Sequence, residues 1–196
     1  MIKCMMLKKE ISKKKKIIIQ IIVICCFIWV IILESIPNRM TYSIEEQGDM
    51  YFLSISDNQG KIIYENQYNA YPVVLKVGKN TIRIVTGKGD CRLSQFINGK
   101  TGSISDYFEN VSACNEKLVV YAIYEEGNLK IIIRYIYNKD KSYKEIIDEF
   151  PHVAVGWYAI KDARVINDHL VYLNYYLGDD LVLNNWKEKK RFILVR

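Results

Sequence analysis

LKIIIRYIYN, residues 129–138, has the alternation of a β-strand. Successive side chains of an extended chain point to opposite sides. Lys130, Ile132, Arg134, Ile136 and Asn138 then share one side, and Leu129, Ile131, Ile133, Tyr135 and Tyr137 the other. One side is wholly apolar or aromatic and the other is mixed, which is the pattern of a half-buried strand. The β-branched and aromatic residues that fill it fit a pleated surface. The stretch runs into Asn138-Lys139-Asp140, a composition that turns the chain.

That turn repeats. Asn58-Gln59-Gly60, Asn98-Gly99-Lys100 and Asn138-Lys139-Asp140 lie 40 residues apart each time. Each is preceded by a strand-like run (MYFLSISD, CRLSQFIN, LKIIIRYIYN) and followed by another (KIIYENQY, SISDYFEN, SYKEIIDEF). Upstream of each sits a second turn signal, at Gly48-Asp49, Gly89-Asp90 and Gly127-Asn128. A fourth copy begins at Gly178-Asp179 and continues through LVLNNW, Lys187 to Lys190, and RFILV. TYSIEE, NTIRIVT, EKLVVYAIY and HLVYLNYY precede these turns, YPVVLKV opens the second unit, and DARVIN opens the last. KLVVYAIY is apolar on both sides, which predicts a strand covered on both faces. The chain after residue 40 therefore reads as an all-β antiparallel meander of about 3.5 units with up to four strands each. That length and strand count resemble a β-propeller blade, although no GH…WD signature or kelch glycine pair is present. A β-sandwich of the same strands is the alternative.

The N-terminal segment follows a different rule. From Ile17 to Leu33 only Gln20 is polar. As a helix this run is roughly 25 Å long, at the short end of what spans a bilayer. Trp29 lies near its outer end, where an indole suits the headgroup layer. The run is longer than a signal-peptide core, and it ends Leu33-Glu34-Ser35-Ile36-Pro37 without a small-x-small cleavage site. Ile24 before Cys25 and the apolar residues after Cys26 argue against a lipidated cysteine. The expectation is an uncleaved transmembrane helix over residues 17–33, embedded in the lipid bilayer. Lys3, Lys8, Lys9 and Lys13 to Lys16 precede it, so residues 1–16 form a basic cytoplasmic tail. Residues 34–40 form a linker that Pro37 breaks from the helix, and residues 41–196 form an extracytoplasmic domain.

The net charge of +6 lies entirely in the first 33 residues, which hold seven Lys and one Glu. The remainder is formally neutral, so the basicity is a topology signal and gives no support to nucleic-acid binding.

The chemistry-bearing residues are sparse. Of five cysteines, Cys4 falls in the tail, and Cys25 and Cys26 fall in the span as small apolar side chains. Cys91 and Cys114 are the outer pair, a possible disulfide worth about 3 kcal/mol in the chain-entropy model. The two histidines, His152 and His169, have no second His or Cys at metal-ligand spacing. No Gly-x-Ser-x-Gly elbow occurs. Gly87-Lys88-Gly89-Asp90 lacks the long loop and following helix of a phosphate site and reads as a hairpin turn. The acidic pairs Asp148-Glu149 and Asp179-Asp180 read as solvated turn charges, because neighbours on a strand face opposite ways. No catalytic, cofactor or metal site is expected.

Aromatics remain. The chain has 15 Tyr, and Tyr172, Tyr175, Tyr176 and Trp186 crowd the last unit. Exposed, they would suit a peptide or glycan surface. GKTGSISDYFEN and YLGDD, with the Ile-, Lys-, Asn- and Tyr-rich composition and the single anchor, resemble uncharacterised membrane-anchored extracytoplasmic β-domain proteins of low-GC bacteria. That resemblance implies no activity. The expected function is non-catalytic binding of a membrane or surface protein, or of a peptide. An anchored hydrolase or a glycan-binding module acting on the cell envelope is the alternative. A pocket joining His169 and Asp168 to a serine would favour the hydrolase.

Overall fold

The structure is a computed structural model that describes residues 20–25, 40–88, 91–138, 144–151, 153, 156–178 and 186–195. The chain forms two compact units, Met1–Pro37 and Asn38–Arg196. In the first, residues 20–25 are helical and exposed. Among the described residues no helix is long and apolar enough to cross a membrane. Most of the span expected over 17–33 lies outside the described residues.

The second unit is all-β, with one 3-10 turn at Gly156–Ala159. Its strands are β1 (Thr41–Gln47), β2 (Met50–Ser56), β3 (Ile62–Tyr68), β4 (Val73–Val77), β5 (Thr81–Lys88), β6 (Cys91–Asn98) and β7 (Phe108–Glu109). They continue as β8 (Ala113–Cys114), β9 (Leu118–Glu125), β10 (Asn128–Tyr135), β11 (Lys144–Ile146), β12 (Ile160–Val165), β13 (Leu170–Leu177) and β14 (Lys187–Leu194). They make four antiparallel meanders in chain order: β1–β3, β4–β7, β8–β11 and β12–β14. The hairpins β1–β2, β5–β6, β9–β10 and β13–β14 are equivalent, so the first sheet lacks the strand that β4, β8 and β12 supply to the others. A sandwich of two sheets is not what these strands build.

Three details depart from the sequence reading. The first Asn turn is displaced by one residue. Asp57, not Asn58, accepts from Gln59 N and Lys61 N, as Asn98 accepts from Lys100 N and Thr101 N. A short side-chain acceptor caps both loops, and Asp serves as well as Asn. SISDYFEN is mostly irregular, with a single bridge from Ile104 to Ile97 and a two-residue strand at Phe108–Glu109. Lys187 to Lys190 lie within β14 and not in a turn, because β14 is a sheet edge, where lysines suit the solvent.

Apolar clusters join successive sheets. Leu53, Ile55 and Tyr64 of the first sheet meet Ile82, Ile84 and Ile97 of the second, with Met40. Phe96 and Phe108 of the second meet Val119 of the third, with Ile136. Leu118, Val120, Leu129, Ile131 and Ile133 of the third meet Val171, Leu173 and Tyr175 of the fourth. None of these clusters draws on both the first and the fourth sheet. β9 is buried on both faces, with Val119 turned one way and Leu118 and Val120 the other.

Candidate functional site

The second sheet is covered unevenly. On one face Ile82, Ile84 and Ile97 are fully packed against the first sheet. On the other face Phe96 and Phe108 lie under the third sheet. The rest of that face stays open: Val73 pairs with Val85, Leu75 with Arg83, and Gly87 with Arg92. These residues form the floor of a groove of about 730 Å³. Asn110, bonded to Arg92, extends the floor, and Val111, Ser112, Trp157 and Ile160–Ala163 complete the lining. Val73 is 49% exposed, Leu75 43%, Tyr71 62% and Trp157 38%, so large apolar side chains stand open together. Tyr71 is held edge-on by Tyr51, with ring centroids 5.5 Å apart. β12 carries a bulge at Lys161, between Ile160 and Asp162. A bulge re-aims a side chain, and here it brings Lys161 to the groove rim.

Arg83 is the half-buried cation of this groove. Its Nε donates to Ser94 Oγ at 3.0 Å and an Nη donates to the Val111 carbonyl at 3.4 Å. Burial pushes its pKa below the ordinary guanidinium value, and the nearby charge of Arg92 pushes the same way. Cys114 also contacts Arg83, but burial pushes the Cys114 thiol up, so it is an uncharged partner at neutral pH. Two of the groove's other charges, Lys161 and Asp162, are matched. Lys161 pairs with Glu188, and Arg164 pairs with Asp162 at 2.8 Å.

The Cys91 side chain lies outside the described residues, and Cys114 is a free thiol. The topology explains the free thiol. Cys91 pairs with Lys88 at one end of the β5–β6 hairpin, whereas Cys114 precedes the loop whose Glu116 bonds Asn80 at the other end. From Cys91 to Asn98 the strand runs about 23 Å, far beyond the ~7 Å that a bridge spans between Cα atoms.

His152 lies outside the described residues, as do Asp179 and Asp180. His169 is exposed, with Nδ1 3.3 Å from the Tyr135 hydroxyl. Asp168 is paired with Lys117. It lines a shallow depression with Lys76, Val77, Gly78, Cys114, Asn115 and Glu116, which includes neither a serine nor His169. Among the described residues no group of three His, Cys, Asp or Glu is placed to hold a metal ion.

The four aromatics of the last unit are divided by the pleat. Tyr175 is fully buried, and its ring packs on Phe150. Tyr172 and Tyr176 share the opposite face. Tyr172 packs against Phe192 and Tyr176 against Trp186 in tilted pairs, each with centroids 5.3 Å apart. Arg164 lies 6.0 Å over Tyr172 and Lys161 5.9 Å over Tyr176. Between the two pairs sits Asn174, 5% exposed. Its Nδ2 donates to Glu188 at 3.2 Å, while its Oδ1 has no partner.

The sequence reading missed the groove. Its one legible signal is Arg83, a lone charge in NTIRIVT among apolar and Thr neighbours.

No family model matches the chain, and no curated protein does. Among solved structures it is similar to a crystal structure of the N-terminal domain of Nup159 at 10% identity and a TM-score of 0.34. The match covers 78% of this chain and 44% of that one.

Proposed function

We propose that the protein is a non-catalytic binding module, held at the cell membrane by residues 17–33, whose extracytoplasmic domain takes a protein or peptide partner. The observation that carries this is the open groove, where Tyr71, Val73, Leu75 and Trp157 stand exposed together. A soluble fold leaves an apolar group of this kind uncovered chiefly where something docks. Among the described residues its walls hold no nucleophile-base pair and no facing carboxylates. The four meanders act as blades of an incomplete propeller, and the groove lies beside their first strands, β4 and β12, and the residues leading into β8. The neutral domain does not call for a nucleic acid.

The test is to tag the C-terminus, extract membranes gently, cross-link and identify what copurifies. Full-length protein in the membrane with one stoichiometric companion is the expected result. Tagged protein released into the medium at a reduced mass overturns the anchor, and full-length protein recovered alone overturns the protein partner.

A glycan surface is the second reading. It is favoured by Asn174 Oδ1, an unpartnered buried acceptor between the Tyr172–Phe192 and Tyr176–Trp186 pairs. Paired aromatics around a hydrogen-bonding group suit a sugar ring.

A further inference from the structure

We infer that the groove takes an extended acidic peptide, which pairs with the free edge of β4 and sets a glutamate carboxylate against Arg83. This rests on the binding reading above and names the partner's chemistry.

The first observation is the edge itself. β4 is the terminal strand of its sheet and pairs with β5 alone. Its five residues offer about 17 Å of backbone for strand addition. Free edges usually carry a guard against such pairing. β14 carries Lys187, Lys189, Lys190 and Arg191, β1 carries Glu45 and Glu46, and β12 carries the bulge at Lys161. β4 is Val73-Val74-Leu75-Lys76-Val77, unbulged and apolar at four of five positions. Its groove-facing residues, Val73 and Leu75, would lie beside alternate side chains of the added strand.

The second observation is charge. Among the described residues no carboxylate pairs with Arg83, whose partners are the Ser94 hydroxyl, the Val111 carbonyl and the Cys114 thiol. Among the described residues the one acidic side chain lining the groove, Asp162, is bound to Arg164. A half-buried guanidinium that meets no carboxylate among the described residues, in a groove floored by Val73, Leu75 and Val85, favours a carboxylate ligand. Arg83 lies one strand beyond β4, roughly 10 Å across from an added strand. The long side chains of Arg83 and a glutamate together bridge that distance.

The test uses the full chain in detergent to select from displayed random seven-residue peptides. Selected sequences are then synthesised and their Kd values measured by fluorescence anisotropy. The expected winners carry a glutamate, with apolar residues at a spacing of two. Replacing that glutamate by glutamine weakens binding about tenfold or more, and N-methylation of alternate backbone amides abolishes it. Leu75→Glu places a carboxylate directly across the strand pair from Arg83 and weakens binding by a similar factor. Leu75 is exposed, so an unchanged unfolding midpoint shows that the variant keeps its fold. Leu75→Trp fills the groove without altering charge. Winners that lack a carboxylate yet are lost with Leu75→Trp would overturn the acidic partner and keep the groove. No enrichment, or winners indifferent to Leu75→Trp, would overturn both.

Discussion

The Tyr175 hydroxyl donates to Asp148 Oδ2 at 2.9 Å, and Lys189 Nζ reaches the same oxygen at 2.7 Å. A core tyrosine of the fourth sheet thus ties the segment after β11 to the edge strand β14. The ring and the hydroxyl make separable contributions. Tyr175→Phe keeps the ring and loses the bond to Asp148 and the longer one accepted from Arg191 Nη1 at 3.5 Å, at a cost of about 1–2 kcal/mol. Tyr175→Ala also empties a fully buried site, at a cost of roughly 3–5 kcal/mol by analogy with other aromatic truncations. Urea unfolding of the solubilised chain should separate the two by a wide margin. Equal midpoints would show that Tyr175 does not pack as described.

Asp148 gives the same contact a pH dependence. Burial raises its pKa, but the hydrogen bonds from Lys189 and Tyr175 outweigh that and leave it below the ordinary carboxylate value. The fold therefore favours the charged form. Its contribution is complete above the ordinary pKa of about 3.9 and is lost as pH falls through that value and below. Asp148→Asn should lower stability at pH 7 and flatten the loss of stability between neutral and acid pH. Midpoints measured at both ends for both chains check this, and parallel acid losses would remove Asp148 from the account.

The strands were legible because each carries its own pattern. LKIIIRYIYN sends Leu129, Ile131 and Ile133 into the cluster between the third and fourth sheets, as its alternation requires. The first two of the three Asn turns were legible to within one residue, since Asp57 and Asn58 are both competent caps, while Lys139 and Asp140 of the third lie outside the described residues. Which tyrosines reach the surface was not, because Tyr175 and Tyr176 differ only in pleat phase against a sheet not yet placed. The groove was illegible for a deeper reason. Val73, Arg83 and Trp157 belong to different strands and turns, and they meet only because the third sheet covers the Phe96 end of the second and leaves the Val73 end open.

Two glycines separate backbone strain from crowding. Gly48 has φ +64° and open space where a Cβ would go. Gly78 has φ +69°, but a Cβ there would lie 2.5 Å from Glu116 Cγ. Gly48→Ala should cost only the left-handed penalty of about 1–2 kcal/mol. Gly78→Ala should cost more, because Glu116 must also give up its bond to Asn80 N. Added to Glu116→Ala, the Gly78→Ala substitution should fall back toward the Gly48→Ala value. Additive losses in that double variant would mean that the crowding is not relieved by the side chain.

The free thiol gives a chemical check on the fold. Denaturation without reductant, followed by alkylation, should label both Cys91 and Cys114, and mass spectrometry reads the count directly. In the native chain Cys114 should label slowly, because burial keeps it protonated and the thiolate is the reactive form. A mass lower by one disulfide would require the two ends of the β5–β6 hairpin to be brought together, contrary to the register of that sheet.

Asn174 distinguishes a structural polar group from one kept for a ligand. Its Oδ1 is buried without a partner, which costs about 1–3 kcal/mol as long as nothing else fills the role. Asn174→Val removes that acceptor and keeps a strand-forming shape, at the loss of the bond to Glu188. Without a ligand the expected net change in stability is small, within about 1 kcal/mol of neutral. With a ligand seated between the Tyr172 and Tyr176 pairs the same substitution should lower affinity while leaving the unfolding midpoint in place. Binding to immobilised envelope polysaccharide, compared between the two chains, reads this. Loss of binding at constant stability would move the second reading of the function ahead of the first, and unchanged binding would retire it.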